Sequence, residues 1–304
     1  MATPMRSTDF RSIVEPILNE SFDGIYSQRA DEWKGVFDEV QGIKRNYHEE
    51  PVLYGFGAAP ELPDGMAVTY QSGGVLFAQR YWYKVYGLAF ALTKVLVEDG
   101  DHIRIGQTYA RHLAQSLVET KETLAANVLN NSFNNAYAGG DGVSLINTAH
   151  PIVNGTFSNQ LTTAAALSQT SLEQMLIQIR QAVDNNGKRI RLVPQKLVLS
   201  PSNVFQGEVL LNSVLKAGTA DNDLNPIKSM GLLAGGQANM SRLTSNTAWW
   251  VKTDAPEGLK IVMRRGLEKS MEGDFETDSM RYKATERYSL GWTDPRAAYG
   301  TAGI

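Results

Sequence analysis

The 304-residue chain contains no cysteine, which excludes disulfides, thiolate metal sites and cysteine nucleophiles. It also lacks any run of about 18 apolar residues, and its first residues lack the apolar core of a secretion signal, so we expect no transmembrane helix and a cytoplasmic location. A basic excess is missing too, because the formal net charge is −3. Phosphate neutralisation dominates nucleic-acid affinity, so this charge argues against a protein whose task is to grip nucleic acid.

Catalytic motifs are equally scarce. The sequence has no nucleophile elbow, no phosphate-binding loop and no zinc-protease motif. His150 is a candidate catalytic base, but the sequence names no acid or nucleophile to partner it, and a turn histidine is the favoured interpretation. The acidic cluster at residues 98–102 is a candidate metal site, although acids before a helix are expected from the helix dipole. We therefore predict no catalytic residue, no metal and no cofactor.

Two further charged segments have ordinary explanations. Residues 221–225 resemble the start of a calcium loop, but Pro226 and Leu232 occupy the positions where such a loop requires glycine and glutamate. The basic trio that follows Gly187 is a candidate phosphate contact, although cations after a helix end are common and a solvated turn is favoured. This trio consists of Lys188, Arg189 and Arg191.

Aromatic residues are concentrated in one part of the chain. Nine lie between Val52 and Thr93, in a stretch punctuated by glycine and proline that has no convincing helix pattern. We interpret 51–86 as an extended arm with strands at 66–71 and 75–85. Each large ring can bury about 150–250 Å², and another copy of the chain is the simplest cover; the alternative is an ordinary antiparallel core sheet. The candidate inter-subunit contacts are Tyr70, Phe77, Tyr81, Trp82 and Tyr83.

The rest of the chain predicts an α+β fold. Residues 1–50 indicate a partly helical arm on a neighbouring surface, in which Pro16 and Gly24 interrupt any long helix. Residues 86–97 indicate a buried strand that leads back to a core. The longest helix is predicted from its N-cap, Asp101, to Phe133, a rod of about 45 Å.

The second half of the sequence predicts a compact α/β subdomain. Thr170 and Glu173 form a capping box for a helix that ends at Gly187. A strand at 196–199 follows, and Ser200-Pro201 begins the next helix. The remaining strands are predicted at 248–253 and 259–264, with an alternating tail at 280–299.

This order of arm, aromatic hairpin, long helix, α/β subdomain and returning strands resembles the tailed-phage major capsid proteins of the Hong Kong 97 fold, most strongly the Mu-like major head subunit group. The resemblance covers nearly the whole chain, and it depends on the order and spacing of several segments rather than on one sharp motif. The segments are Tyr86-Gly87-Leu88 with Thr93, Gly139-Gly140-Asp141-Gly142, Thr148-Ala149-His150-Pro151, Leu197-Val198-Leu199-Ser200-Pro201 and Arg287-Tyr288-Ser289-Leu290-Gly291-Trp292-Thr293-Asp294-Pro295-Arg296.

The resemblance implies a division of the chain and a function. The divisions are an N-terminal arm at 1–50, an E-loop at 51–86, a P-domain at 87–160 with a spine helix at 101–133, an A-domain at 161–265, and a return to the P-domain at 266–304. The implied function is structural and non-enzymatic. Pentamers and hexamers of the chain would form an icosahedral shell around double-stranded DNA, in a virion assembled in the bacterial host cytoplasm.

The resemblance also implies partners. Only about 50 residues precede the E-loop, so we expect a separate scaffolding protein, together with a portal. No lysine lies between Pro51 and Tyr83, so we expect a shell held by contacts alone or with a cement protein, without covalent cross-links. The packaged DNA would be bound without sequence specificity, and no membrane is involved. The alternatives are an encapsulin-type compartment, a soluble α/β enzyme that uses His150 or residues 98–102, and a nucleic-acid-binding protein.

Overall fold

The structure is a computed structural model that describes residues 7–28, 31–42, 44–93, 95–96, 102–216, 223–274 and 279–304. The helices are α1 (Ser7–Gln28), α2 (His102–Asn130), α3 (Gln169–Arg180), α4 (Val204–Asn212) and α5 (Pro226–Ser229). The strands are β1 (Asp38–Gln41), β2 (Tyr47–Tyr54), β3 (Gly74–Trp82), β4 (Lys84–Thr93), β5 (His150–Ile152), β6 (Gly155–Phe157), β7 (Pro194–Leu199), β8 (Gln237–Asn239), β9 (Trp249–Thr253), β10 (Leu259–Asp274), β11 (Ser279–Trp292) and β12 (Ala298–Thr301). Asp101, the predicted N-cap of the long helix, lies outside these ranges.

Helix α1 is continuous over 22 residues and passes through both Pro16 and Gly24. The expectation that these residues interrupt the helix is therefore wrong. Proline removes a backbone donor, but packing of an amphipathic face outweighs that local cost. The buried face of α1, which includes Leu18 and Phe22, packs on α2 of the same chain rather than on a neighbouring surface.

Helix α2 and the longest sheet form the centre of the molecule. The sheet has the order β1-β10-β11-β4, with long antiparallel β10 and β11 in the middle. Fully buried Ala110 and Ala114 let α1 approach α2, and the same cluster includes Tyr282 and Ala284 of β11. Strand β4 confirms an extended segment after the arm, but it is the sheet's edge strand and is mostly exposed rather than buried.

The α/β subdomain is built on a second sheet with the order β12-β9-β7-β8. Successive residues of β9 point to opposite faces, so Trp249 packs in the cluster with α3 while Trp250 packs in the cluster with α2. The cap of α3 differs from the prediction, because Ser168 and Ser171 form the capping box. The helix ends at Arg180, and Gly187 lies in a later turn at φ +81°.

The aromatic arm is a separate two-stranded sheet of β2 and β3, joined by residues 55–73, in which no strand forms. We call residues 47–82 the arm. The predicted strand at 66–71 is therefore wrong, because the partner of β3 comes earlier in the chain, where Tyr47 pairs with Trp82 and Tyr54 with Gly74.

No helix in the described ranges has the length and apolar character to cross a membrane.

Candidate functional site

The outer part of the arm exposes a set of large apolar side chains. Beyond Tyr54 the arm has no ladder partner for 19 residues, and a two-stranded hairpin is only marginally stable by itself. Tyr70 is 95% exposed, and its neighbours are more than half exposed. The exposed set is Leu53, Phe56, Leu62, Met66, Val68, Tyr70, Val75 and Trp82. So many apolar side chains on one segment mark an interaction surface.

The five predicted contact residues divide into two groups. Tyr70 and Trp82 are exposed, with Trp82 at 56%, and Phe77 is half-buried. Tyr81 and Tyr83 are 2% and 8% exposed and pack with Val262 of β10 in their own chain, so a second copy cannot reach them. The prediction is therefore corrected for Tyr81 and Tyr83, whose alternation with Trp82 along the chain places them on the inner side.

A buried polar cluster fixes the base of the arm to the body. Lys260 of β10, 2% exposed, donates to Glu50 of β2 at 2.6 Å and also to Glu257. Thr293 donates to the same Glu50 oxygen at 2.5 Å, and the Tyr81 hydroxyl donates to Thr293 at 2.5 Å. A buried charge is costly unless paired, so the arm and the body are stable here only together.

The charge state of this base cluster follows from its contacts. Burial opposes ionisation of Glu50, but hydrogen bonds from Lys260, Thr293 and His48 outweigh it and hold its pKa below the ordinary value. Burial raises the pKa of Tyr81, so its hydroxyl stays protonated and acts as a donor. Sequence analysis missed this cluster because its members are far apart in the chain; a charged Lys260 inside an apolar strand was the available signal.

The exposed ring of Trp82 packs against other side chains of the arm. Tyr47 lies 5.3 Å from it, ring centroid to centroid, and the Arg80 guanidinium lies 4.5 Å from Tyr47 and 5.7 Å from Trp82. Arg80 also pairs with Glu49 across the hairpin at 3.3 Å. Trp82 lines an open groove of about 350 Å³ together with residues of α2 and β11. A rigid aromatic side chain at such a rim costs little entropy when it is covered by a partner.

A comparison with protein families identifies the body that follows the arm. The family model described as phage capsid protein matches residues 84–301, well over half of the chain. This chain belongs to the phage capsid protein family. It is therefore a capsid protein, a structural component of a phage head. A search of curated proteins found no significant match.

Solved structures show that the capsid protein has the Hong Kong 97 fold. The virus-like particle from Pyrococcus furiosus is 11% identical, with 94% of this chain and 98% of that chain covered at a TM-score of 0.54. The capsid of cyanophage P-SCSP1u is 12% identical, with 91% of this chain and 89% of that chain covered at a TM-score of 0.56. The mature capsid of bacteriophage PhiM1 is 12% identical, with 90% of this chain and 87% of that chain covered at a TM-score of 0.53. Identities this low show the fold alone.

The capsid protein buries His150 as a structural residue. Its Nδ1 lies 2.6 Å from an Asp141 oxygen and its Nε2 lies 3.1 Å from Asn159 Oδ1, while the ring stacks on Phe157. Asp141 is the acidic partner that the sequence did not name, supplied by the glycine-rich turn at 139–142. His150 is fully buried, so no substrate can reach this pair without unfolding. Residues 98–101 of the other candidate cluster lie outside the described ranges.

The same glycine-rich turn explains part of the sequence resemblance. A Cβ at Gly140 would lie 2.7 Å from the carbonyl oxygen of Ala78 in the arm, and one at Gly139 would overlap the ring of Trp292. Only glycine permits such close approach to another backbone and to a buried ring. The turn therefore seats β3 of the arm against the capsid protein's body.

Proposed function

We propose that this chain is the major head subunit of a tailed phage, and that its pentamers and hexamers build an icosahedral shell around double-stranded DNA. The observation that carries the proposal is the arm, whose base is locked by a buried cluster while its outer residues 55–73 leave apolar side chains uncovered. A neighbouring copy is the partner that a shell supplies to every arm. Each large apolar side chain covered in this way contributes about 1.5–3 kcal/mol.

The strength of the shell then comes from repetition. Each contact is of modest size, but closed symmetry makes every copy both donor and receiver of an arm. The proposed division remains an N-terminal arm at 1–50, an E-loop at 51–86, a P-domain at 87–160 and 266–304, and an A-domain at 161–265. The Mu-like subgroup belongs to this proposal as well.

The proposed partners follow from the same role. They are a separate scaffolding protein, a portal and packaged DNA bound without sequence specificity. The proposed shell is held by contacts alone or with a cement protein. The proposed site of assembly is the bacterial host cytoplasm. The net charge of −3 supports weak DNA contact, because a strongly basic lining would retain the phosphates. The subunit performs no catalysis in this account.

The mass of purified particles, measured by light scattering with and without the candidate scaffold, tests the proposal. We expect closed megadalton shells. A small uniform oligomer under both conditions would contradict it. Nuclease-protected DNA in particles from infected cells supports a phage head, whereas protein cargo without DNA would favour an encapsulin-type compartment.

The arm itself is tested by the double variant Met66→Ser/Tyr70→Ser. Both side chains are exposed in the subunit, so its unfolding free energy should change by less than about 0.5 kcal/mol. Loss of two covered side chains should raise the concentration needed for assembly at least tenfold. Ile304→Ser, at an equally exposed apolar position outside the arm, is the control. Normal assembly of the arm variant would refute this role of the arm.

A further inference from the structure

The arm contacts its own body at a second place, which begins three residues after Glu50 of the base cluster. Asn185 Nδ2 donates to the carbonyl oxygen of Leu53 at 3.0 Å, and Asn186 Nδ2 donates to that of Gly55 at 2.9 Å. A third donor from the same turn, the Lys188 ammonium, reaches the carbonyl oxygen of Phe56 at 2.7 Å. Three side chains of one turn thus hold the segment in which β2 ends and the strand pairing stops.

The turn that carries these donors is itself rigidly built. The Asp184 carboxylate accepts hydrogen bonds from the N–H groups of Asn186 and Lys188, each at 2.8 Å. The Asp184 N–H donates to the Lys188 carbonyl at 2.7 Å, and Gly187 supplies the positive φ of +81° that closes the turn. The donors are therefore presented by a fixed backbone.

The turn is also tied to the body from below. The N–H of Val153, between β5 and β6, donates to the Asn185 carbonyl at 3.0 Å. The buried side chain of Arg296 donates through Nε to the carbonyl of Val183 at 2.7 Å, just before the turn. A rigid turn with two independent attachments to the body can orient whatever it binds.

Between its two attachments the arm spans a gap. A cavity of about 440 Å³ lies under β2, and its lining includes Glu50 of the base cluster and Asn185 of the turn. A single attachment at the base would leave the strand free to pivot over this cavity. Two attachments define a line, and so they fix the direction in which the arm leaves the body.

We infer that residues 184–188 form a positioning platform, which sets the direction of the arm before a second copy binds. The three bonds go to main-chain carbonyls, so the platform holds the arm without reading its side chains. The arrangement also gives Lys188 a role: its ammonium is engaged by the Phe56 carbonyl and lies 3.8 Å from Asp184, so it is not a free phosphate ligand.

The consequence for assembly rests on the proposed function. An arm that is ordered in advance loses less conformational entropy when a neighbour covers it. Each bond is exposed and modest, but together they act on a hairpin that is only marginally stable alone. Loss of the platform should therefore free the outer arm without unfolding the body.

The test uses the full-length, unassembled subunit carrying Asn186→Asp and Lys188→Met, which replaces one donor by an isosteric acceptor and removes another. Hydrogen exchange of peptides covering 47–57 and 73–82 should accelerate about tenfold, since each lost bond is worth roughly 1 kcal/mol. Peptides of α2, β10 and β11 should be unchanged. Asn186→Asp/Lys188→Arg, which keeps a donor at position 188, should show part of the protection that Asn186→Asp/Lys188→Met loses.

The matched control is Asn203→Asp/Arg189→Met. Asn203 also donates to a main-chain carbonyl, that of Asn246 at 2.9 Å, but away from the arm, and Arg189 is the exposed neighbour of Lys188. This control should leave arm exchange unchanged. Unaltered arm exchange in the Asn186→Asp/Lys188→Met variant would overturn the platform, even if shells form normally. Failure of the unaltered chain to form shells, with the predicted exchange change in the variant intact, would instead count against the proposed function.

Discussion

Glu122 of α2 shows how a single carboxylate departs from ordinary behaviour. It is buried and accepts a hydrogen bond from the N–H of Trp33 at 3.1 Å. Burial of the carboxylate is the main cause that raises its pKa to about 7, and repulsion from Glu32 raises it further. A carboxyl group whose pKa is higher in the folded state than in the unfolded state favours folding when it is protonated. This contribution to the unfolding free energy is lost as the pH rises from about 4.5 to about 7.

Glu122→Gln should therefore stabilise the subunit at pH 8 by about 1–3 kcal/mol and change it little at pH 5. The neutral amide avoids the cost of a buried negative charge while keeping the same shape. Urea unfolding of the unassembled subunit at both pH values measures the difference. Glu39→Gln, at an exposed position, should have no effect at either pH. An unfolding free energy that falls at pH 8 would contradict the assignment.

At the scale of elements, ion pairs across the base of the arm join a hairpin to a sheet. Lys260→Met would leave Glu50 buried without its main partner, so we expect a loss of about 3 kcal/mol in the unfolding free energy. Glu50→Gln added to Lys260→Met should restore at least half of that loss, because no unpaired charge remains. Lys252→Met, whose partner Asp38 is exposed, should cost less than about 1 kcal/mol. Equal losses for Lys260→Met and Lys252→Met would refute the buried lock.

The same lock makes the arm sensitive to acid. The folded pKa of Glu50 is lowered, so its stabilisation is present above the ordinary carboxyl value of 4.5 and is lost as the pH falls through the folded value. Proteolysis within residues 55–73 should therefore be unchanged down to about pH 4.5 and increase below it. A Glu50→Gln subunit should lack this step. A step of equal size in that variant would assign the acid sensitivity elsewhere.

Different elements were predictable from sequence to different degrees. Helix α2 was predicted within a few residues because its alanines and leucines repeat at helical spacing and are buried as that spacing requires. The arm was located by its aromatic residues, but its first strand was misplaced because β2 is partly charged, and its Glu50 is matched by a lysine over 200 residues away. The sequence predicts an interruption of helix α1 at Pro16, and this prediction fails because the packing that outweighs the proline is a tertiary contact.

The candidate site was predictable only as a region. An aromatic-rich, non-helical stretch indicated an interaction arm, and Tyr70 and Trp82 are exposed as such a role requires. The strand boundaries decide which rings face inward, and those boundaries could not be predicted from the sequence pattern. The platform at residues 184–188 could not be predicted from the sequence. Its donors bind main-chain carbonyls of the arm, and such contacts require no particular side chain there.

At the scale of the whole molecule, buried ionic and aromatic contacts hold the body, while the uncovered apolar surface of the arm is concentrated at residues 55–73. We propose that the sheets and helices provide stability and that the arm provides the contacts for assembly. Tyr83 belongs to the subunit's own core, so a substitution there would destabilise the subunit and could not isolate an effect on assembly.

The most direct test of the central claim is an electron-microscopy reconstruction of particles formed by the purified chain, with the candidate scaffold present. We expect a closed shell of pentamers and hexamers in which residues 55–73 of each copy lie against a neighbouring copy. A closed shell with these residues facing solvent would contradict the role of the arm, and discrete small oligomers alone would contradict the shell itself.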